Sequence, residues 1–250
     1  MLNPHIHLNR IEFIVTYACT GRCIHCSQGD HDDCGTYIDG DAAARVLRQT
    51  AQLYDIRSVI TFGGEPLLHS DAVCRIHTAA REAGIPKRQL ITNGFFSRDG
   101  AKIRETARAL AAAGVNDLLL SADAFHQATI PLEAVKLFAA EVMDAGMPLR
   151  LNPAWLVSVA DDNPYNEKTR AIIAELTAMG VPLNGGNVIF PEGRAARYLA
   201  QYFDAAAPVV NPYKEDPADV RTVSVEPDGS ALGGNVYTDE IADILAAYRP

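Results

Sequence analysis

The run IEFIVTYACTGRCIHC, Ile11 to Cys26, decides how the rest of the chain is read. Its first six residues, IEFIVT (Ile11 to Thr16), are short and largely apolar, as expected of a strand covered on both faces. Its last ten, Tyr17 to Cys26, place three of the chain's five cysteines in the spacing Cys-x3-Cys-x2-Cys. In parallel α/β architectures ligands bind beyond the carboxyl ends of strands. A strand running straight into three thiols therefore predicts a site at its end.

Outward from this run, similar short segments recur. They are SVITFGG (Ser58 to Gly64), QLITNG (Gln89 to Gly94), DLLLSAD (Asp117 to Asp123), PLRLNPAWL (Pro148 to Leu156) and LNGGNVIF (Leu183 to Phe190). Helical patterns lie between them. Asp41 to Leu53 is alanine-rich. Ser70 is placed to cap a helix carrying Val73, Ile76 and Ala80 that stops at Gly84. Asp99 is placed to cap the next, which ends at Gly114, and Pro131 opens another where its missing N–H costs nothing. The last carries Ile172, Ile173, Leu176 and Met179 and ends at Gly180. This alternation predicts parallel strands with right-handed crossovers. With about six units, fewer than a closed eight-unit barrel needs, the expected fold is α/β: a partial (β/α)6 TIM-like barrel over residues 1–190. After Phe190 the rhythm breaks. Residues 191–250 are expected to form a short C-terminal extension packed on the barrel. In it TVSVEPDGSAL reads as a hairpin turning at Asp228 and Gly229, followed by a helix from about Thr238 to Tyr248.

Composition narrows the function classes. The 250 residues are 48% hydrophobic, enough for a sizeable core, and carry a net charge of -9. No run of Lys or Arg provides a footprint for nucleic acid or an anionic membrane. No stretch reaches the roughly 18 consecutive apolar residues of a membrane helix. The start, MLNPHIHLNR, lacks the cationic and apolar runs of a secretion signal, so a cytoplasmic location is expected. In a reducing compartment an odd, small number of cysteines reads as metal ligands or reactive thiols.

Three readings of Cys19, Cys23 and Cys26 compete. A structural zinc site needs a fourth ligand, and Cys34, alone across the loop SQGDHDDCG, is the candidate. Incidental cysteines would sit in a core, whereas Thr20, Gly21 and Arg22 make a polar turn. A cubane iron–sulfur cluster with three protein thiolates leaves one iron with an open coordination site, the mark of a catalytic metal centre. Two further segments bear on the choice. TFGGEP (Thr61 to Pro66) ends the second strand with two glycines that let backbone approach a ligand closely. SADAFHQ (Ser121 to Gln127) ends the fourth.

Taken together, Cys-x3-Cys-x2-Cys after the first strand and GGEP after the second resemble the radical S-adenosylmethionine (radical SAM) superfamily. The resemblance implies one [4Fe–4S] cluster on Cys19, Cys23 and Cys26, with SAM chelating the fourth iron. One electron cleaves SAM to methionine and a 5′-deoxyadenosyl radical, which abstracts hydrogen from the substrate. It implies that Gly63, Gly64, Glu65 and Pro66 meet the SAM amino group and that His25 lies near the adenine, unless His25 is a simple loop residue. Asn93 is either polar lining of the SAM site or part of a turn with Gly94. Ser121 and Asp123 match the family's S-x-D segment near the SAM ribose or carboxylate, though Asp123 is also placed to cap a turn. Arg150 and Asn152 alternate with apolar neighbours. On an inward face they would meet the SAM carboxylate and ribose; on the other they satisfy local partners. In NGGNVIFPEGR (Asn184 to Arg194) the glycines suit an adenine edge and PEGR a substrate-side turn. Cys34 and His126 are candidates for catalysis, each with a plain loop role as the alternative. Cys74 reads as a small buried hydrophobe.

The segment VSVEPDGSALGGNVYTDEIADIL resembles the start of the auxiliary-cluster extension of peptide-modifying (SPASM and twitch) members. No cysteine follows Cys74, however, so that cluster cannot be built as in those relatives. Either this branch has lost it or the chain is part of a longer protein. The expected function is radical SAM chemistry on a peptide, protein or small-molecule substrate, with a one-electron donor such as flavodoxin or ferredoxin. Two alternatives are a glycyl-radical-enzyme activating enzyme and a zinc-stabilised, non-enzymatic binding module.

Overall fold

In the computed structural model, residues 3–30, 35–204, 206 and 211–250 are described. The elements alternate as expected: β1 (Ile6–Ile14), α1 (Gly40–Leu53), β2 (Ser58–Phe62), α2 (Ser70–Glu82), β3 (Lys87–Thr92), α3 (Gly100–Ala113), β4 (Asp117–Leu120), α4 (Leu132–Asp144) and β5 (Leu149–Leu151). Then come β6 (Ala154–Trp155), α5 (Pro164–Ala178), β7 (Asn187–Val188), α6 (Gly193–Tyr198), β8 (Val220–Val225), β9 (Ser230–Ala231), β10 (Gly234–Asn235) and α7 (Ile241–Ala247).

The main sheet has six strands in the order β5-β4-β3-β2-β1-β8. Every neighbouring pair in it is parallel. Alternation divides its two faces. Ile11, Phe13, Val59, Leu90, Leu118 and Leu120 are fully buried in the core shared with the helices. The opposite, concave face is polar by comparison. Glu12, Ile60, Gln89 and Asp117 lie side by side across four strands. One pleat on, Ile91, Leu119 and Arg150 do the same. This is a partial barrel, with helices outside and a polar interior.

Helix caps follow the local chemistry. Asp39 accepts from the Asp41 and Ala42 amides, Asp99 from Ala101, and Asn163 from Tyr165 and Asn166. Gly114 closes α3 in the left-handed conformation, φ 96°. Ser70 is not a cap. A 3-10 turn, Pro66–His69, runs into α2, so Ser70 is already helical.

Two expectations about strands are corrected. LNGGNVIF supplies only a single bridge, Leu183 to Leu151, and the two-residue β7, which pairs with β6 in a separate ribbon. The glycines make a turn in place of a strand: Gly186 has φ 76°, and a side chain there would meet the Pro153 carbonyl at 2.2 Å. The sixth strand of the sheet is β8, from the C-terminal extension, lying on the free edge of β1. The Asp228–Gly229 turn does form, with the Gly229 amide donating to the Glu226 carbonyl at 2.9 Å. The strand before it belongs to the main sheet, and the antiparallel ribbon is β9–β10. No helix among the described residues is long and apolar enough to cross a membrane.

Candidate functional site

The cysteine loop leaves β1 at the carboxyl end of the sheet and is zipped to the loop after β2 by backbone alone. The Gly64 amide donates to the Thr16 carbonyl and the Glu65 amide to the Ala18 carbonyl, both at 2.7 Å. Such contact requires glycine. A β-carbon on Gly63 (φ 147°) would lie 2.4 Å from the Thr16 oxygen, and one on Gly64 would lie 2.1 Å from the Ala18 oxygen. The two sequence motifs are therefore two halves of one structure.

Within the loop, the Gly21 amide donates to Cys19 Sγ at 3.3 Å and Asn93 Nδ2 approaches the same sulfur at 3.6 Å. Thr129 hydrogen-bonds Cys23 and takes the Arg22 amide at 3.0 Å. All three cysteines line one cavity of about 560 Å³ together with His25, Gly63, Gly64, Asn93, Ser121, His126 and Asn152. A larger cleft, about 760 Å³, lies at the N-terminal ends of α1 and α2 and touches none of Cys19, Cys23 and Cys26.

The thiols suit a metal group better than water. Burial pushes Cys19 up to about 11, and it raises Cys23 and Cys26 as well. In the protein alone they are neutral at physiological pH. A buried thiolate needs a cation beside it, and a metal centre is what supplies one. Three soft sulfur donors within eight residues, facing a cavity of ligand size, fit an iron–sulfur cluster.

Four sequence candidates stand behind the cavity wall. Glu65 is fully buried. Its carboxylate accepts from Thr92 Oγ1 at 2.6 Å, the Asn93 amide at 2.9 Å and the Leu67 amide at 3.0 Å. It ties the end of β2 to the end of β3, and the part of GGEP that faces the cavity is the glycine backbone. Pro66 starts the turn behind it and is buried. Arg150 points inward but is engaged with Asp117 at 2.7 and 2.9 Å and with Asn184 at 3.0 Å, away from the cavity lining. Asp123 is completely buried. Cys34 lies outside the described residues.

Asp123 organises the end of β4. One oxygen accepts from the Phe125 and His126 amides, the other from His126 Nδ1 at 2.8 Å and the Ala154 amide at 2.9 Å. Burial alone would raise its pKa; the His126 charge and these donors outweigh that and hold it well below the carboxylate range. His126 is raised by the same pairing, against its own burial. His25 is pushed down to about 4 by burial, then by His126, so its ring is neutral. It packs against Phe125 at 4.9 Å and edge-on to His126 at 4.8 Å. His25, Asp123 and His126 offer ligand atoms within 4.8 Å of one another. Both Asp123 oxygens already accept two N–H groups each, so this is a hydrogen-bonded dyad beside a neutral ring and not an open ion site.

Arg10, Glu12, Ser224 and Glu226, which the sequence reading did not assign to the site, also line the cavity. Arg10 pairs with Glu12 at 2.8 Å, Ser224 donates to Glu12 at 3.1 Å, and the Tyr17 hydroxyl donates to Glu226. The charged alternation Arg10, Glu12 within an apolar strand was the available signal. Arg194 reaches the cysteine loop from α6, with its Nε donating to the Cys23 carbonyl at 3.1 Å.

The radical SAM superfamily model matches residues 13–146. The chain belongs to the radical SAM superfamily. The match runs from the last two residues of β1 through α4 and takes in all three loop cysteines of this radical SAM domain. Among curated proteins, GTP 3′,8-cyclase of Tolumonas auensis is 33% identical over 90 residues, covering 35% of this chain and 26% of the cyclase. Among solved structures, Streptococcus suis SuiB bound to precursor peptide SuiA superposes with a TM-score of 0.60 at 14% identity, covering 96% of this chain and 64% of SuiB. The enzyme anSMEcpe, with bound AdoMet and Cp18Cys peptide, gives 0.59 at 13% identity, covering 94% of this chain and 79% of that one. The chain spans about a quarter of the cyclase's length and 64% of SuiB's. The radical SAM fold is shared across nearly the whole described chain.

Glu65 gives the site a pH signature. Burial, opposed by its three hydrogen bonds, pushes it from 4.5 up to about 7. The folded protein then keeps a proton that the unfolded chain releases. This contribution is full below about pH 4.5 and is lost as pH rises through about 7. At ~1.4 kcal/mol per unit the loss is ~3 kcal/mol. Glu65→Gln, which cannot titrate, is expected to flatten that part of the profile. Denaturant titrations of metal-free protein at pH 5 and pH 8 measure it. Equal pH slopes for the variant and the native chain would refute it.

Proposed function

We propose that this chain is a radical SAM enzyme whose Cys19, Cys23 and Cys26 hold one [4Fe–4S] cluster in the cavity at the carboxyl end of the sheet. The observation that carries it is the backbone union of the cysteine loop with Gly63 and Gly64, which puts three thiols and an open glycine backbone on one 560 Å³ cavity. When bound, such a cluster supplies the electron that splits SAM into methionine and a 5′-deoxyadenosyl radical able to take hydrogen from a substrate. The chain's own residues do the rest. Gly63 and Gly64 leave space and carbonyl groups for the SAM amino group. The neutral, packed His25 ring offers a flat apolar face to the adenine. Asn93, Ser121 and Asn152, at the ends of three successive strands, offer polar groups to the ribose and carboxylate. His126, fixed by Asp123, presents an imidazole at the same wall. Residues 1–190 form the radical SAM unit and 191–250 the extension that completes its sheet.

We infer a peptide or protein segment as substrate. The likeness to SuiB and anSMEcpe, both seen with peptides, supports this. A small molecule is the second reading, favoured by the identity shared with a GTP 3′,8-cyclase. Electrons would come from a low-potential donor such as flavodoxin or ferredoxin, in the cytoplasm.

Anaerobic reconstitution should give brown protein with about four irons and four sulfides per chain and dithionite-dependent 5′-deoxyadenosine. Candidate substrates deuterated at carbon are then supplied. Deuterium in 5′-deoxyadenosine from a peptide supports the first reading, and from a nucleotide the second. Colourless protein containing zinc would refute both.

A further inference from the structure

The extension grips the cysteine loop at a second place, far in sequence from GGEP. Gly193, at φ 54°, lies so close that a β-carbon there would sit 2.6 Å from both the Cys26 and Ser27 carbonyl oxygens. The next residue donates twice: the Arg194 amide to the Cys26 carbonyl at 2.9 Å and its Nε to the Cys23 carbonyl at 3.1 Å. The guanidinium also pairs with Asp30, just beyond the loop, and lies 4.9 Å over the Tyr198 ring. Its side chain is only 16% exposed, so its charge is poorly screened. Arg197, by contrast, is 68% exposed and stands 3.8 Å from the same Asp30.

We propose that Arg194 is the positioning and charge-setting residue of the cysteine loop, holding the Cys23 carbonyl while its positive charge favours the reduced form of a [4Fe–4S] cluster bound there. This rests on the cluster reading above. One-electron reduction adds one negative charge to the cluster and leaves its bonds intact. A fixed cation beside the ligand loop stabilises that added charge, and net local charge and hydrogen bonding are what set such potentials. Asp30 offsets part of the effect.

The test is a dithionite-driven redox titration of the reconstituted full chain, followed by the electron paramagnetic resonance of the reduced cluster. In Arg194→Met the reduced-to-oxidised ratio at a fixed poise should fall about tenfold, equivalent to about 59 mV for one electron. Arg194→Lys keeps the charge and should stay close to the native midpoint while retaining cluster less well. Asp30→Asn removes the opposing charge and should shift the midpoint the other way. If Arg194→Met takes up no iron, Asp30→Asn decides: a positive shift supports the proposal, and an unchanged or negative one overturns it. Equal midpoints for Arg194→Met, Arg194→Lys and the native chain also overturn it. Native protein that takes up no iron overturns the cluster reading and this one together. A normal native cluster with unshifted variants overturns this one alone.

Discussion

Replacing any one of Cys19, Cys23 or Cys26 with alanine is expected to remove the iron and at least about a thousandfold of the SAM cleavage. Loss of a group that merely supports a metal ligand costs 10–100-fold, so loss of a ligand costs more. The fold should survive. Burial keeps these thiols protonated in the metal-free chain. A protonated thiol packs as a small hydrophobe, and alanine replaces it without stranding a charge. The expected pattern is an apo melting temperature within a few degrees of native, with colour, sulfide and 5′-deoxyadenosine all gone. A variant that still cleaved SAM at the native rate would sink the assignment of that cysteine.

Gly64→Ala is expected to do nearly as much damage without touching a ligand. The added β-carbon would lie 2.1 Å from the Ala18 oxygen and 2.6 Å from the Tyr17 oxygen, both backbone atoms. No rotamer change relieves a clash with backbone. The Glu65-to-Ala18 hydrogen bond must break and the cysteine loop must move. Overpacking costs 1–3 kcal/mol and each lost buried hydrogen bond about 1–3 more, so ~3 kcal/mol or more of stability should go, along with most of the iron. Gly185 is the control, since a β-carbon there meets nothing within 4 Å and its φ needs no glycine. Denaturant midpoints and iron per chain report both effects. Native iron content in Gly64→Ala would show that the zipped loops do not position the thiols.

What was legible in the sequence was local. Apolar runs of five or six residues, Asp99 ahead of a helix and Gly114 behind it are signals that neighbours in the chain exchange. Parallel pairing of β8 with β1 is not such a signal, because no short-range pattern encodes which distant strand fills an edge. Ser70 does not cap α2 because the turn begun by Pro66 absorbs the helix start. The site divides in the same way. The cysteines and glycines were visible as motifs, since their spacing is itself the chemistry. Glu65 was visible as a carboxylate, but its burial behind the loop, fixed by Thr92 and Asn93 from the next strand, is a tertiary fact. Arg194 sits in an unremarkable PEGR, 168 residues from Cys26, and only the folded chain brings the two together.

The placement of β8 sets an order of assembly. β1 carries the cysteine loop, yet one of its two neighbours is drawn from residues 220–225. The side chain of Asn3 likewise binds the Leu245 and Tyr248 carbonyls. During synthesis the strand that presents the thiols waits with a bare edge until residues 220–225 have emerged. Contacts of such long range form late and slowly. A chaperone or iron carrier that meets the nascent chain therefore meets an unfinished barrel. Cofactor loading becomes an event that follows the arrival of β8, and a ribosome stalled before residue 220 holds thiols with an incomplete sheet behind them.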